Sequence, residues 1–86
     1  MIRVILIHPQ DNVAVACQEI KKGTSFRVNE IELIALQDIP KNHKVAIKKI
    51  SQAERVLKYG APIGIASKEI EPGEWVHTHN LKSEEN

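Results

Sequence analysis

The chain has very few aromatic residues: Phe26, Tyr59 and Trp75 are the only ones in 86 positions. Stacking platforms for nucleic-acid bases are therefore nearly excluded. It has one cysteine, Cys17, so no internal disulfide can form. Cys17 ends the apolar run VAVAC and reads as a small core residue. Neither sign of charge is in excess: 12 Lys and Arg stand against 11 Asp and Glu, a net charge of +1. A dedicated nucleic-acid binder shows a basic face or stripe, so nucleic acid is not an expected partner. Long hydrophobic runs are also missing. The opening MIRVILIHPQ has four apolar residues in a row after Arg3, too few for a signal-peptide core and far too few to cross a bilayer. The expectation is a soluble cytoplasmic protein with no membrane contact. P-loop, nucleophile-elbow and dinucleotide-binding signatures are absent as well.

What the chain does have is repetition. The segment VAVACQEIKKGT, residues 13–24, aligns with IGIASKEIEPGE, residues 63–74. Ala16, Glu19, Ile20 and Gly23 match Ala66, Glu69, Ile70 and Gly73, and Val13 and Val15 match Ile63 and Ile65. A third copy, VAIKKISQAERV at 45–56, fits when two residues are dropped before its turn. Each unit reads as an alternating strand, an isoleucine, a tight turn and a return strand, because apolar alternation at period two is a strand signal. Further strands are expected at RVILI (3–7) and IELIAL (31–36), with turns at 8–11, 23–30, 37–43 and 59–62. The segment SQAERVLKYG competes as a short helix, since Ser51 and Glu54 have capping-box spacing. The repeat ranks that helix second: it puts Gln52 and Ala53 at the turn held by Pro72 and Gly73, with RVLKY as the return strand. The fold class is therefore all-β, one domain over residues 1–81 with a solvated tail at 82–86. A core this small hides only about 60–65% of the unfolded surface, so association with a partner or with further copies is expected.

Polar clusters interrupt this apolar lattice. In HPQDN, His8, Asp11 and Asn12 lie between two strands. Asp11 and Asn12 can fold onto the local backbone in Asx-turns, or an imidazole and a carboxylate can bind a divalent ion or sugar hydroxyls. In NHKVA, His43 and Lys44 enter a strand, as an ordinary surface loop or with Lys44 as a point charge for a carboxylate. In KYGAPIG, Tyr59 offers a hydroxyl beside Gly60, or packs as an aromatic with a wet tip. In HTHN, His77 and His79 stand two apart. On a strand both would project from one face, as a partial site for iron, manganese or zinc. Two imidazoles do not close such a site, so His8 and Asp11 or a second chain would have to complete it.

Taken in order, IHPQDNVAVA, IPKNHKVAIKKI and VLKYGAPIGIASKEIEPGEWVHTHNL resemble the N-terminal domain of the altronate and galactarate dehydratase family over residues 4–81. The resemblance implies a β-clip fold of the SAF type, built from short bent strands and long hairpins. It implies a hydro-lyase that removes water from a sugar acid to give a 2-keto-3-deoxy acid, with Fe2+ or Mn2+ as cofactor. It also implies a larger dehydratase subunit that closes the active site. On this basis His8, Asp11 and His43 are the candidate catalytic residues. Asn12, Lys44, Tyr59 and Gly60 are the candidate substrate contacts, and His8, Asp11, His77 and His79 the candidate metal ligands. The ending HTHN is similar to altronate-type members, and His77 and His79 in that comparison tune substrate choice. Where the family loop before the central strand reads Gly-His-Lys, this chain has Asn42, a residue that accepts left-handed backbone. Related two-subunit enzymes include a sulfolactate sulfo-lyase, which makes sulfite an alternative leaving group. A stand-alone module that binds a carbohydrate or acid, and a structural cap on a larger enzyme, are the competing non-catalytic readings.

Overall fold

Repetition is the plan of the molecule. The computed structural model describes residues 2–84. Its strands are β1 (Val4–Ile5), β2 (Val13–Ala16), β3 (Ser25–Val28), β4 (Ile31–Ile34), β5 (Lys44–Ala46), β6 (Arg55–Lys58), β7 (Ala61–Ala66), β8 (Trp75–Val76) and β9 (Leu81–Lys82). Among the described residues there is no helix. All pairing is antiparallel: a central sheet in the order β1-β2-β5-β8, the hairpin β3-β4, and a three-stranded sheet β6-β7-β9. The all-β expectation and the return strand at RVLK are both met.

The repeated unit occurs four times. Ala16, Ala35, Ala46 and Ala66 are each followed four positions later by Ile20, Ile39, Ile50 and Ile70. Three positions after each isoleucine comes a residue with positive φ: Gly23, Asn42, Ala53 and Gly73. Each of these donates its N–H to the alanine of a partner unit, and that alanine donates back to the carbonyl after the turn. Gly23 pairs in this way with Ala35, Asn42 with Ala16, Ala53 with Ala66 and Gly73 with Ala46, at 2.7–3.0 Å. The isoleucines bridge in the same partnership, Ile20 with Ile39 and Ile50 with Ile70. The chain thus forms two halves, each closing its own turns and joined to the other through the central sheet, where β2 pairs with β5. The third copy needs no dropped residues, because Ala46 and not Val13's look-alike Val45 sets its register. The fourth copy, at 35–45, went unseen because Pro40 and Asn42 disguise its turn.

Each half has its own core. Ala14, Ala16, Ile20, Phe26, Val28, Ala35, Ile39, Val45 and Ile47 form one cluster; Val13, Ala46, Ile50, Val56, Ala66, Ile70 and Val76 form the other. The central sheet runs between them, so alternate residues serve alternate cores: Val45 faces the first and Ala46 the second. Burying isoleucines and valines at about 1.5–3 kcal/mol each supplies most of the drive. Two small cores side by side give an elongated body of 41 × 23 × 19 Å.

Three local expectations change. Residues 23–30 hold strand β3, whose alternation of exposed Ser25 and Arg27 with buried Phe26 and Val28 has too few apolar residues to stand out. The Ser51–Glu54 spacing closes a turn: the Glu54 carboxylate accepts the Ser51 N–H at 2.7 Å, and the Glu54 N–H returns to the Ser51 carbonyl. Lys82, assigned to the tail, is the second residue of β9, and Glu84 forks onto the Arg55 guanidinium at 3.0 Å. Residues 85 and 86 lie outside the described chain.

Candidate functional site

Asp11 is wholly buried, and its environment explains why. One carboxylate oxygen accepts the backbone N–H of His8 at 3.1 Å and of Tyr59 at 3.0 Å. The other accepts the Gly60 N–H at 2.8 Å. An acceptor-only side chain is matched here by three donors, which offsets the cost of burying its charge. Asn12, also buried, needs both of its functions: its amide oxygen takes the Leu57 N–H at 2.8 Å and its NH2 donates to the Arg55 carbonyl at 3.0 Å. Two adjacent side chains thus dock the β6–β7 hairpin, nearly fifty residues downstream, onto the loop after β1.

The same dock gathers His8, Tyr59 and Gly60. The His8 ring lies against Gly60 so closely that a Cβ there would come within 2.8 Å of it. Tyr59 projects from the hairpin tip with 63% of its surface exposed. The Lys58 ammonium sits 5.0 Å from the Tyr59 ring centroid, a cation–π contact. On β5, opposite Val15 and Val76, Lys44 feels this hairpin's charge: burial, and then the Lys58 ammonium, hold its pKa below the ordinary 10.5. Both lysines are half-buried, and among the described residues neither has a carboxylate within ion-pair distance. Lys58 opens the KYGAPIG cluster in the sequence but has no role there, because its relation to Lys44 exists only after folding.

His43 belongs elsewhere. It shares the pleat of Val45, so it points to the opposite face from Lys44. Along β2 it also lies at the Ala16 end, whereas His8 lies at the Asn12 end, four residues or roughly 13 Å away. There it joins His77 and His79 around Trp75. Its Nδ1 accepts the Trp75 indole N–H at 3.1 Å, and its ring centroid is 4.8 Å from that of His77. His77 stacks on the indole at 5.5 Å and His79 tilts against it at 4.9 Å. The two histidines do not share a strand. β8 stops at Val76, and a turn follows in which Asn80 accepts the His77 N–H at 3.0 Å and returns its own N–H to the His77 carbonyl. His8 and Asp11 close a turn of the same kind directly after the apolar run that opens the chain.

The expected metal set is not assembled. Asp11 has its oxygens filled by N–H groups. The Nδ1 of His8 accepts the Gln10 N–H at 3.1 Å, and that of His43 accepts the indole. With Nδ1 engaged, the ring proton sits on Nε2, so both imidazoles present a donor instead of a ligating lone pair. Among the described residues no group of three His, Cys, Asp or Glu could hold a metal ion. The residues present do not fit an iron or manganese ion.

Comparison with known proteins places this geometry in context. The model of the altronate/galactarate dehydratase SAF domain matches residues 2–84. Altronate dehydratase from Bacillus subtilis (strain 168) is 40% identical over 79 residues, which are 92% of this chain and 16% of that protein. Galactarate dehydratase (L-threo-forming) from Escherichia coli (strain K12) is 38% identical over 74 residues, 84% of this chain and 14% of that protein. The (2R)-sulfolactate sulfo-lyase subunit alpha of Paracoccus pantotrophus is 42% identical over 55 residues, 64% of this chain and 82% of that subunit. The chain thus spans less than a fifth of the dehydratases it matches. With all but its outermost residues covered by one family model, the chain belongs to the altronate/galactarate dehydratase SAF-domain family.

Proposed function

We propose that this chain is the small subunit of a sugar-acid dehydratase and supplies one wall of an active site that a larger subunit closes. The observation that carries this reading is two half-buried lysines, Lys44 and Lys58, neither with a carboxylate partner among the described residues, Lys58 being on the hairpin whose tip Asp11 holds. A partly desolvated ammonium whose charge a second ammonium disfavours costs stability. That cost is returned when an anionic ligand arrives. A carboxylate between Lys44 and Lys58 would offer each ammonium an acceptor and cancel one of the two charges, with the Tyr59 hydroxyl and the His8 Nε2–H turned to the adjacent hydroxyls. Asp11, Asn12 and Gly60 hold the backbone that carries these groups. Elimination of water needs removal of the proton next to the carboxylate and departure of a β-hydroxyl. The wall described here binds and orients; in this reading the base, and the iron or manganese ion implied by the resemblance, belong to the larger subunit. His43, on the other face, is given no step.

A tagged chain is purified gently from its native cells, and the recovered assembly is offered a panel of hexonates and hexarates with Fe2+ or Mn2+. The expected result is a much larger co-purifying protein and formation of a 2-keto-3-deoxy acid that is lost in Lys44→Met. Recovery of the chain alone, with no turnover in any mixture, defeats the proposal. A second reading has its own support: the match to the sulfo-lyase subunit covers 82% of that subunit, so it is a protein of similar size. Sulfite released from sulfolactate by the same assembly would select it.

A further inference from the structure

Tyr59 holds a backbone conformation that its side chain opposes. Its φ is +60° and that of Gly60 is +73°, the two positive values that a two-residue hairpin of this kind requires. Gly60 adopts such a φ freely. For a residue with a Cβ the left-handed region costs about 1–2 kcal/mol. At the corresponding tip of the first half stands Asn29, φ +53°, a residue that tolerates it. Packing does not force Tyr59 into place, since most of it is exposed. The fixing element is the buried Asp11 carboxylate, which accepts the N–H of Tyr59 and of Gly60. A bulky residue strained on an open tip, and held there from below, marks a functional position.

We propose that Asp11 is a positioning residue that acts through Tyr59, aiming the phenol hydroxyl at an oxygen of the bound acid. Asp11 itself transfers no proton and binds no metal. This rests on the reading of the Lys44–Lys58 rim given above. The arrangement has two supports besides the carboxylate: the His8 ring fills the space that a side chain at position 60 would occupy, and the Lys58 ammonium lies over the Tyr59 ring.

The first arm of the test uses the 86-residue chain alone. Amide exchange is followed by NMR in the unsubstituted chain and in Asp11→Asn, which keeps the size of the side chain but turns an acceptor into a donor. Protection of the His8, Tyr59 and Gly60 amides is expected to fall about tenfold, the equivalent of one lost buried hydrogen bond, while Ile50 and Ile70 keep theirs. Unchanged protection at the tip overturns the proposal. The second arm uses the assembly with the larger subunit. Asp11→Asn and Tyr59→Phe are each expected to lower kcat/KM about tenfold, and the double variant to fall no further than the worse single one, because both remove the same contact. Multiplying losses, or disappearance of one limb of the pH profile in Asp11→Asn, would assign Asp11 its own chemical role and sink the idea. Should Asp11→Asn not fold, the comparison is made on a Tyr59→Gly background, whose turn is unstrained. There Asp11→Asn should cost no further activity, and any further loss again overturns the proposal. An assembly that turns over no acid at all removes the proposed function, and the amide arm then decides the role of Asp11 by itself.

Discussion

Lys44 carries a charge that its folded surroundings disfavour. Burial and the Lys58 ammonium both disfavour its charge, so its folded pKa lies below the ordinary 10.5. Between that lowered value and 10.5 the unfolded chain holds the extra proton and the native chain does not, so stability rises with pH across this window. Below the window the native protein carries the full cost of the buried charge. Lys44→Met is therefore expected to raise the melting temperature at neutral pH by a few degrees and to flatten the alkaline rise, as scanning calorimetry across pH would record. The same substitution should abolish carboxylate binding. A melting temperature that drops in Lys44→Met would mean that the ammonium has a stabilising partner. None of this was legible in NHKVA, where Lys44 looks like any surface lysine. Asp11 is the opposite case: its residue type and its place beside Asn12 already suggested an Asx-turn, and the carboxylate does cap a turn at His8. What the sequence could not show was the second use of the same carboxylate, on amides at 59 and 60.

At the level of the element, the repeated turn carries the fold. The alanine, the isoleucine four residues on and the turn residue three beyond that were readable wherever glycine marked the turn, at 23 and 73. The copy with Ala53 at its turn was readable through the repeat, though with two residues too many, and the copy with Asn42 was hidden. Ala53 is the strained member, with φ +71°. Ala53→Gly is expected to stabilise the protein by about 0.5–1 kcal/mol, or about 4 °C in melting temperature. The four turns also differ in what surrounds them. A Cβ at Gly23 would meet nothing within 4 Å, whereas one at Gly73 would run into the Ile34 carbonyl oxygen. Gly23→Ala should then cost only the backbone penalty of about 1 kcal/mol. Gly73→Ala should cost upward of about 2 kcal/mol and disturb the β4 end as well. Equal losses in urea titrations of the two variants would show that the Ile34 contact gives way freely. The HTHN ending was misread for a related reason. Two histidines at strand spacing carry no sign of where the strand stops, and the stop is set by Asn80, which closes a turn back on His77.

For the whole molecule, two small cores in an elongated body leave little reserve of stability. A larger subunit that binds only the folded form should add to it by mass action. The melting temperature of the chain is expected to climb with the concentration of that subunit, by roughly 2.7 kcal/mol of added stability at a hundredfold excess over Kd. A transition that does not move on addition of the subunit would argue that the two proteins do not meet at this surface. The fold class and the family were open to a reader of the linear chain, through alternation, repetition and the ordered resemblance. The separation of His43 from His8 was not, because it follows from strand pleat and register, which place neighbours in sequence on opposite faces.

The twofold build also gives the first half a hairpin tip of its own. Asn29 and Glu30 stand where Tyr59 and Gly60 stand in the second half, yet among the described residues no buried acid reaches them, and both are exposed. A dye, a biotin or a short peptide handle grafted between them would ride on that copy and leave the Tyr59–Gly60 tip untouched, which offers a way to watch or immobilise the protein without disturbing the Asp11 dock.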